Sequence, residues 1–207
     1  PDACQIIAET IKKQIPNANV ITKPMTDGGE GTAQIMLKNK PGKWISKNVT
    51  GPLPNMTVNA GFAYFPTENV AIVEMAKASG IELLKPDQLK PLKTSTYGTG
   101  QLIAAADKLN VKTIYLAVGG SATVDLGFPA AAALGYKFLD SDNNPVTLTA
   151  ESLNIIQKII KPPNQLNAEL KVLSDVNNPL LGPKGAAKIF APQKGADPKT
   201  VTTLEKG

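Results

Sequence analysis

Residues 112–134 read "KTIYLAVGGSATVDLGFPAAAAL" and contain an apolar run, a glycine-rich loop and an alanine-rich run, in that order. The segment "KTIYLAV" predicts a buried strand, and "AAAAL" predicts a helix with Pro129 in its first turn. A strand, a glycine loop and a helix in this order are the organisation of an α/β unit. The stretch therefore places the chain in the α/β class.

A second stretch, "NVITKPMTDGGEGTAQIMLKN" at residues 19–39, repeats this order. We expect a strand at "NVIT", a loop at "TDGGEGT" and a helix from about Thr32. Before it, "PDACQIIAETIKKQIP" predicts an amphipathic helix that ends at Pro16. One face of that helix carries Ala3, Ile6, Ile7, Ile11 and Ile15.

The pattern changes from Gly42 onward, where "KWISKNVT", "MTVNAGFAY" and "VAIVEM" predict strands with antiparallel pairing. We therefore place a domain or subdomain boundary near residues 42–50. Further along, "GTGQLIAAADKLN", "AESLNIIQKII" and "GAAKIF" predict helices, and "YKFL" and "ELKVL" predict strands. Asp197 and Pro198 are expected to cap and begin the last helix.

The composition of the 207 residues excludes several kinds of site. There is no histidine and a single cysteine, Cys4, so no internal disulfide, no His- or Cys-rich zinc site and no Ser-His-Asp machinery is available. Acid–base groups must be Asp, Glu, Lys or Tyr, and a metal would be an oxygen-preferring one such as magnesium.

The charge pattern bears on partners and location. All 22 basic residues are lysines scattered along the chain, and the net charge is +5. Without arginine and with few aromatic residues, a small phosphorylated ligand is favoured over nucleic acid. No apolar run approaches the roughly 20 residues that span a bilayer, so we expect no membrane partner and a cytoplasmic location.

Three loops follow apolar segments and carry carboxylates, hydroxyls or glycines: "TDGGEGT", "GGSATVD" and "SDVNNPLLG". A fourth loop, "PQKGA", adds Lys194. In open α/β sheets, ligands bind beyond the carboxyl ends of the strands. If the strands are parallel, these loops lie at one edge of the sheet and converge.

In "GGSATVD", Gly119 and Gly120 allow consecutive backbone N–H groups to face an anion, and Ser121 and Thr123 add hydroxyl donors. This pattern is typical of phosphate binding, with Asp125 placed for magnesium or a proton. Taken alone, the loop is more often a Gly-Gly turn whose hydroxyls cap a helix.

The other two loops also allow two readings. Asp27 and Glu30 of "TDGGEGT" are either solvated helix caps or ligand-facing carboxylates on a glycine scaffold. Asp175 of "SDVNNPLLG" is either a functional carboxylate or part of an Asx-type turn closed by Pro179.

Taken together, these segments resemble the type I glycerate kinase family, the bacterial class related to glycerate 2-kinase. The matching segments occur in family order over almost the whole chain: "KPMTDGGEGT", "VTGPL", "AIVEMAKASGI", "TSTYGTGQLI", "GGSAT", "ALGYKFLD" and "DVNNPLLGPKGAAKIFAPQKGA". The resemblance implies a two-domain α/β fold. It consists of an incomplete Rossmann- or flavodoxin-like part at residues 1–46 and a second α/β domain with a mixed sheet at residues 47–207.

The resemblance also implies an activity: transfer of the γ-phosphoryl group of ATP to D-glycerate, at the 2-hydroxyl, with magnesium. Lys194 and magnesium would neutralise phosphate charge, and the "GGSAT" loop would hold phosphate oxygens. Asp125 and Asp175 are the candidates for catalytic base and metal ligand. Gly119, Gly120, Ser121 and Thr123 would bind the nucleotide, and the substrate would meet Asp27, Gly28, Gly29 and Glu30.

Two alternatives stay open at this point. One is a kinase for a related small hydroxy acid, or for the 3-hydroxyl. The other is a fragment that binds a nucleotide or a hydroxy acid without catalysis. Whether the protein forms a homo-oligomer is also open.

The chain departs from the family pattern in two respects. Family members carry further segments before the first helix and after "PQKGA", so the resemblance implies truncation at both ends. Where the family has Asn-Asp-Gly-Gly, this chain has Val124, Asp125, Leu126 and Gly127. Leu126 lacks the freedom of glycine to adopt a positive φ.

Overall fold

The computed structural model describes residues 2–207 and contains a five-stranded mixed sheet in the order β1-β2-β3-β4-β7. The strands β1–β3 pair antiparallel, whereas β4 and β7 run parallel to β3. These strands are β1 (Lys43–Thr50), β2 (Thr57–Phe65), β3 (Val70–Glu74), β4 (Thr113–Ala117) and β7 (Glu169–Leu173). The predicted α/β class with a mixed sheet is confirmed.

A second, two-stranded sheet pairs β5 (Lys137–Leu139) with β6 (Lys158–Ile160). The helices are α1 (Asp2–Gln14), α2 (Thr32–Asn39), α3 (Met75–Ser79), α4 (Tyr97–Asp107), α5 (Phe128–Ala133), α6 (Ala186–Phe190) and α7 (Pro198–Lys206). Short 3₁₀ turns cover Ile81–Leu83, Pro86–Gln88, Ala150–Ile155 and Pro192–Lys194.

The core lies on both faces of the five-stranded sheet. On one face, Leu102 and Ile103 of α4 are buried in a cluster with Phe62, Val73 and Ile114. On the other face, the short helix α2 covers a smaller cluster whose buried members are Ala33, Ala63, Phe65 and Ile72. Both faces of β2 and β3 are therefore covered, and apolar burial holds α2 and α4 to the sheet.

Two predicted elements are wrong. Residues 19–22 form no strand: the segment pairs with neither β1 nor β7, the two edge strands of the five-stranded sheet, and an unpaired strand has no hydrogen-bond partners. Residues 150–160 are not one helix: a 3₁₀ turn ends at Ile155, and the Gln157 N–H donates to the Leu139 carbonyl at 2.8 Å. Pairing with β5 outweighs the helical spacing there.

The two terminal helices are confirmed. Helix α1 forms where expected and ends at Gln14, but Ile6, Ile7 and Ile15 on its apolar face are largely exposed. Asp197 caps α7, since its carboxylate accepts the Thr200 N–H at 2.7 Å. Among residues 2–207, no helix has the length and apolar character to cross a membrane.

The sheet topology positions the candidate site. Strands β3, β4 and β7 run parallel and end at Glu74, Ala117 and Leu173, so the segments that follow them leave from one edge of the sheet. The expectation that these loops share an edge is confirmed for the loops after β4 and β7. The domain division at residues 46 and 47 stays a prediction.

Candidate active site

Three segments meet at the edge of the sheet where β3, β4 and β7 end: the glycine loop 26–32, the loop after β4 and the segment at the end of β7. The Gly119 N–H faces the Gly28 carbonyl at 3.5 Å, and a Cβ at position 119 would lie 2.6 Å from the Gly29 Cα. A Cβ on Gly28 would lie 3.2 Å from the Leu173 carbonyl oxygen at the end of β7. The backbones are so close that position 119 admits only glycine without rearrangement.

A cavity of about 420 Å³ opens between the loops after β4 and β7 and the segment around α6, which is within the size range of small-molecule sites. It is lined by Gly119, Gly120, Ser121, Thr123, Val124, Asp125, Leu126, Gly127, Ser174, Asp175, Val176, Ala186, Phe190, Gln193 and Lys194, with Met75 and Val118.

Lys194 is buried against the loop after β4, with 6% of its surface exposed. Its Nζ donates to the Ser121 Oγ at 2.8 Å and to the Thr123 carbonyl at 2.6 Å. Burial lowers the pKa of Lys194 to about 8, which the nearby Asp125 carboxylate partly offsets. At neutral pH the side chain is therefore a cation, only weakly hydrated, beside a glycine loop.

Asp125 is 2% exposed, and both of its oxygens accept backbone hydrogen bonds. The Thr96 N–H donates to Oδ2 at 2.8 Å and the Gly127 N–H donates to Oδ1 at 3.0 Å. Burial raises the pKa of Asp125 to about 6, although these N–H groups favour the charged form. The carboxylate thus fixes its own loop, and its pKa lies close enough to neutral pH for it to bind a proton under mildly acidic conditions.

Asp175 presents a contrasting carboxylate in the same cavity. It follows β7 directly and is exposed to solvent. An exposed carboxylate at the wall of a cavity is free to contact a metal ion or a substrate hydroxyl without first giving up internal hydrogen bonds. The structure thus brings one buried and one exposed aspartate to the same cavity.

The glycine loop 26–32 is anchored by a residue that the sequence reasoning missed. Glu74, at the end of β3, is 1% exposed, and its Oε2 accepts the Gly31 N–H at 3.1 Å while its Oε1 accepts the Ala33 N–H at 2.6 Å. These N–H groups lie at the start of α2, where a carboxylate is favoured. A carboxylate at the end of the apolar run "VAIVE" was the available signal.

Glu30 and Asp27 are engaged locally. The Glu30 carboxylate lies 2.7 Å from the Lys77 Nζ, which lowers the pKa of Glu30. The Asp27 Oδ1 accepts the Gly29 N–H at 3.0 Å, which closes an Asx-type turn. Neither carboxylate lines the 420 Å³ cavity, although Gly28 and Gly29 touch Gly119 at its edge.

Leu126 has a left-handed backbone with φ of 54°, followed by Gly127 at 71°. Position 126 thus has the conformation that glycine adopts readily and leucine does not. The left-handed region costs a non-glycine residue about 1–2 kcal/mol. This strain lies directly on the wall of the cavity.

The acidic side chains of the site limit how a metal ion could be held. Within residues 2–207, no three acidic, histidine or cysteine side chains cluster in a way that would hold one. Magnesium is commonly held by one or two carboxylates together with substrate phosphates and water. The exposed Asp175 fits this mode of binding, in which a nucleotide supplies the remaining oxygens, whereas both oxygens of the buried Asp125 already accept backbone N–H groups.

The structure brings seven of the predicted site residues together in one cavity, and their roles stay predictions. Of the predicted residues, Gly119, Gly120, Ser121, Thr123, Asp125, Asp175 and Lys194 line one cavity, whereas Asp27, Gly28, Gly29 and Glu30 lie beside it. Besides Glu74, the reasoning missed Thr96, whose N–H holds Asp125. Nothing in the local sequence links Thr96 to Asp125, because they meet only through the fold.

Comparison with known proteins identifies relatives. A family model described as the glycerate kinase family matches residues 1–207. Glycerate kinase of Haemophilus influenzae (strain ATCC 51907 / DSM 11121 / KW20 / Rd) is 42% identical over 197 residues, which are 94% of this chain and 52% of that protein. Glycerate 2-kinase of Escherichia coli (strain K12) is 36% identical over 207 residues, which cover 99% and 54%.

A similar fold is found in a Salmonella typhimurium LT2 crystal structure whose protein is assigned as glycerate kinase 2. The TM-score is 0.83 at 36% identity, over 97% of this chain and 55% of that chain. The chain thus spans about half the length of the curated relatives it matches.

Proposed function

This chain belongs to the glycerate kinase family, and on that premise we propose that it carries the site for transferring the γ-phosphoryl group of ATP to the 2-hydroxyl of D-glycerate. The observation that carries the proposal is a single cavity that contains a glycine loop, a buried lysine and two aspartates. Phosphoryl transfer requires alignment of the reactants and neutralisation of phosphate charge, and this combination can supply both.

The loop after β4 supplies the anion-binding groups. Gly119 and Gly120 line the cavity without side chains, so a phosphate can approach the backbone there, and Ser121 adds a hydroxyl. The Lys194 ammonium is already directed at Ser121 and Thr123. A phosphate oxygen placed beside Ser121 would therefore meet both a hydroxyl and a cation.

The two aspartates suit different tasks. The exposed Asp175 is available to orient the glycerate hydroxyl or to bind magnesium, which would supply charge neutralisation between the phosphates. Asp125 has both oxygens engaged by Thr96 and Gly127, so its main task is to hold the loop. Its raised pKa still allows it to accept a proton near neutral pH.

The loop 26–32 would close the substrate side of the site. Gly28 and Gly29 lie against Gly119, so glycerate bound near this contact would meet the glycine backbone as well as the carboxylates of Asp27 and Glu30. Since like charges repel, the glycerate carboxylate would point away from Asp27 and Glu30, and these two carboxylates would accept hydrogen bonds from the glycerate hydroxyls.

An Asp175→Asn exchange tests the proposal. We expect the rate of ADP release from ATP and magnesium with D-glycerate to fall about 100-fold or more, because the exposed carboxylate is lost from the reacting centre. Asp142→Asn, in the exposed turn between β5 and β6, is the matched control and should leave the rate unchanged. Equal rates for wild type and Asp175→Asn would contradict the role of Asp175.

One alternative is favoured by a specific observation. Because the chain spans about half the length of its relatives, the 207 residues could bind nucleotide or glycerate without turning them over. Assaying this chain beside the gene-length protein separates the two. Turnover by the longer protein only would place essential groups outside these residues, whereas turnover by both would locate the catalytic groups within them.

A further inference from the structure

Leu126 is the exceptional residue of the cavity wall. Within residues 2–207, four non-glycine residues have a positive φ, and three of them are Asn69, Asn110 and Asn143. Asparagine tolerates this region because its short polar side chain can form local hydrogen bonds. Leu126, at φ 54°, has no such compensation, so the chain maintains a strained leucine at this position.

Burial in the core does not compensate for this strain. Leu126 is 59% exposed, and Val176, across the same cavity, is 46% exposed. A glycine or asparagine would satisfy the backbone at position 126 without exposing an apolar side chain. A strained residue that gains little from folding, on the wall of a ligand-sized cavity, points to a ligand contact.

The apolar residues of the cavity lie on the side that adjoins a second, smaller hollow. Val124, Leu126 and Ala186 also line a neighbouring hollow of about 130 Å³, which continues to Leu153, Leu180 and Leu181. The anion-binding groups Gly119, Ser121 and Lys194 do not line that hollow. The cavity therefore has a polar side at the glycine loop and an apolar side at Leu126.

The chemistry of the reactants decides what fits the apolar side. Glycerate has no apolar ring, and magnesium and the phosphates are charged. The nucleobase of ATP is the one flat, largely apolar group in the proposed reaction. Resting on that proposed function, we propose that Val124, Leu126, Val176 and Phe190 form the nucleobase site, with Leu126 as the residue that packs on the base while the phosphates extend to Lys194.

The test compares ATP with magnesium tripolyphosphate, which has the phosphates and no base, by isothermal titration calorimetry. Wild type should bind ATP about tenfold more tightly than tripolyphosphate, because packing one aromatic base against the protein adds an affinity gain of that size. In Leu126→Gly, ATP affinity should fall by about fivefold while tripolyphosphate affinity stays unchanged. Leu126→Asn, which tolerates the backbone and lacks the apolar surface, should behave like Leu126→Gly.

Asn110→Gly is the matched control. It makes the same kind of exchange at φ 56°, at the amino end of β4, away from the cavity at the carboxyl end. It should change neither affinity. Thermal unfolding adds a second readout: Leu126→Gly should melt no lower than wild type, because removing the strain offsets the added flexibility of glycine.

The outcomes separate the inference from the proposed kinase. If Leu126→Gly and Leu126→Asn bind ATP as tightly as wild type, or lose tripolyphosphate affinity equally, the base does not contact Leu126 and the inference is overturned. Glycerate phosphorylation by the same protein would leave the kinase proposal intact in that case. If wild type binds neither ligand, the nucleobase site and nucleotide binding by this chain are both wrong.

Discussion

The loop after β4 and the glycine loop 26–32 meet backbone to backbone at Gly119 and Gly29, yet they are held in different ways. The first is fixed by its own Asp125, which accepts the Thr96 and Gly127 N–H groups, and by Lys194, which lies 71 residues after Thr123 and donates to its carbonyl. The second is fixed from a strand more than 40 residues away, because Glu74 accepts the N–H groups of Gly31 and Ala33.

Both loops therefore combine internal hydrogen bonds with an anchor from outside. In the glycine loop, where Gly28 and Gly31 have positive φ, the Gly29 N–H donates to Asp27 and the Thr32 hydroxyl donates to the Gly29 carbonyl, while Glu74 ties the loop to the sheet. In the loop after β4, Asp125 is the internal anchor and Lys194 is the outside one. Exchanges at the anchors of each loop should separate their contributions.

Glu74→Leu should have the largest effect on stability. It leaves the buried Ala33 N–H and the partly buried Gly31 N–H without an acceptor, which costs about 3 kcal/mol in the free energy of unfolding. Glu74→Gln keeps one acceptor oxygen and should lose about half of that. Urea unfolding measures both.

The matched control is Glu68→Gln, which breaks a pair with Lys40 at the surface and should cost less than about 1 kcal/mol. If Glu74→Leu unfolds at the same urea concentration as this control, the glycine loop is not anchored by Glu74.

Asp125→Asn should have a pH-dependent effect. The pKa of Asp125 is raised to about 6 in the folded protein, against about 3.9 when unfolded. The folded state therefore binds the proton more tightly, and wild type loses stability as pH rises from about 4 through 6. The asparagine variant lacks this titration, so the advantage of wild type over it should shrink by about 2–3 kcal/mol.

Chemical unfolding of both proteins at pH 4.5 and pH 7.5, without magnesium, measures that difference. An advantage that stays constant, or that grows with pH, would show that Asp125 is held charged rather than strained by burial.

Lys77→Ala should have the smallest effect. It removes the ion-pair partner of the exposed Glu30, whose pKa is lowered in the folded protein. This pair adds stability at pH values above the pKa of Glu30 in the unfolded chain, and that stability is lost as the pH falls through the lowered pKa. Solvent screening limits this contribution to less than about 1 kcal/mol, and high salt should abolish it. Thermal unfolding at low and high salt measures it; a large, salt-independent loss would mean that Lys77 acts mainly on the buried Glu74.

The sequence predicted these loops to different extents. Strand, loop and helix order indicated where Gly119, Ser121 and Asp175 leave the sheet, because apolar runs and glycines are local signals. The contacts of Thr96 with Asp125, and of Glu74 with Gly31, depend on which strands become neighbours, and no local pattern records that. The same limitation explains the wrong strand at residues 19–22 and the missed strand β6.

At Leu126 the sequence pattern and the backbone conformation point to the same residue. A leucine where glycine is expected was visible in the sequence, and the structure assigns that position a φ of 54°. The sequence alone could not show that the side chain lines a cavity.

The most direct test of the central claim is ³¹P NMR of D-glycerate incubated with ATP, magnesium and the gene-length protein, beside the 207-residue chain. We expect a new phosphomonoester signal of 2-phosphoglycerate together with ADP, which is lost in Asp175→Asn and retained in Asp142→Asn. A signal of 3-phosphoglycerate would contradict the proposed position of transfer. Absence of any glycerate phosphate with both proteins would contradict the assignment of this cavity to glycerate phosphorylation.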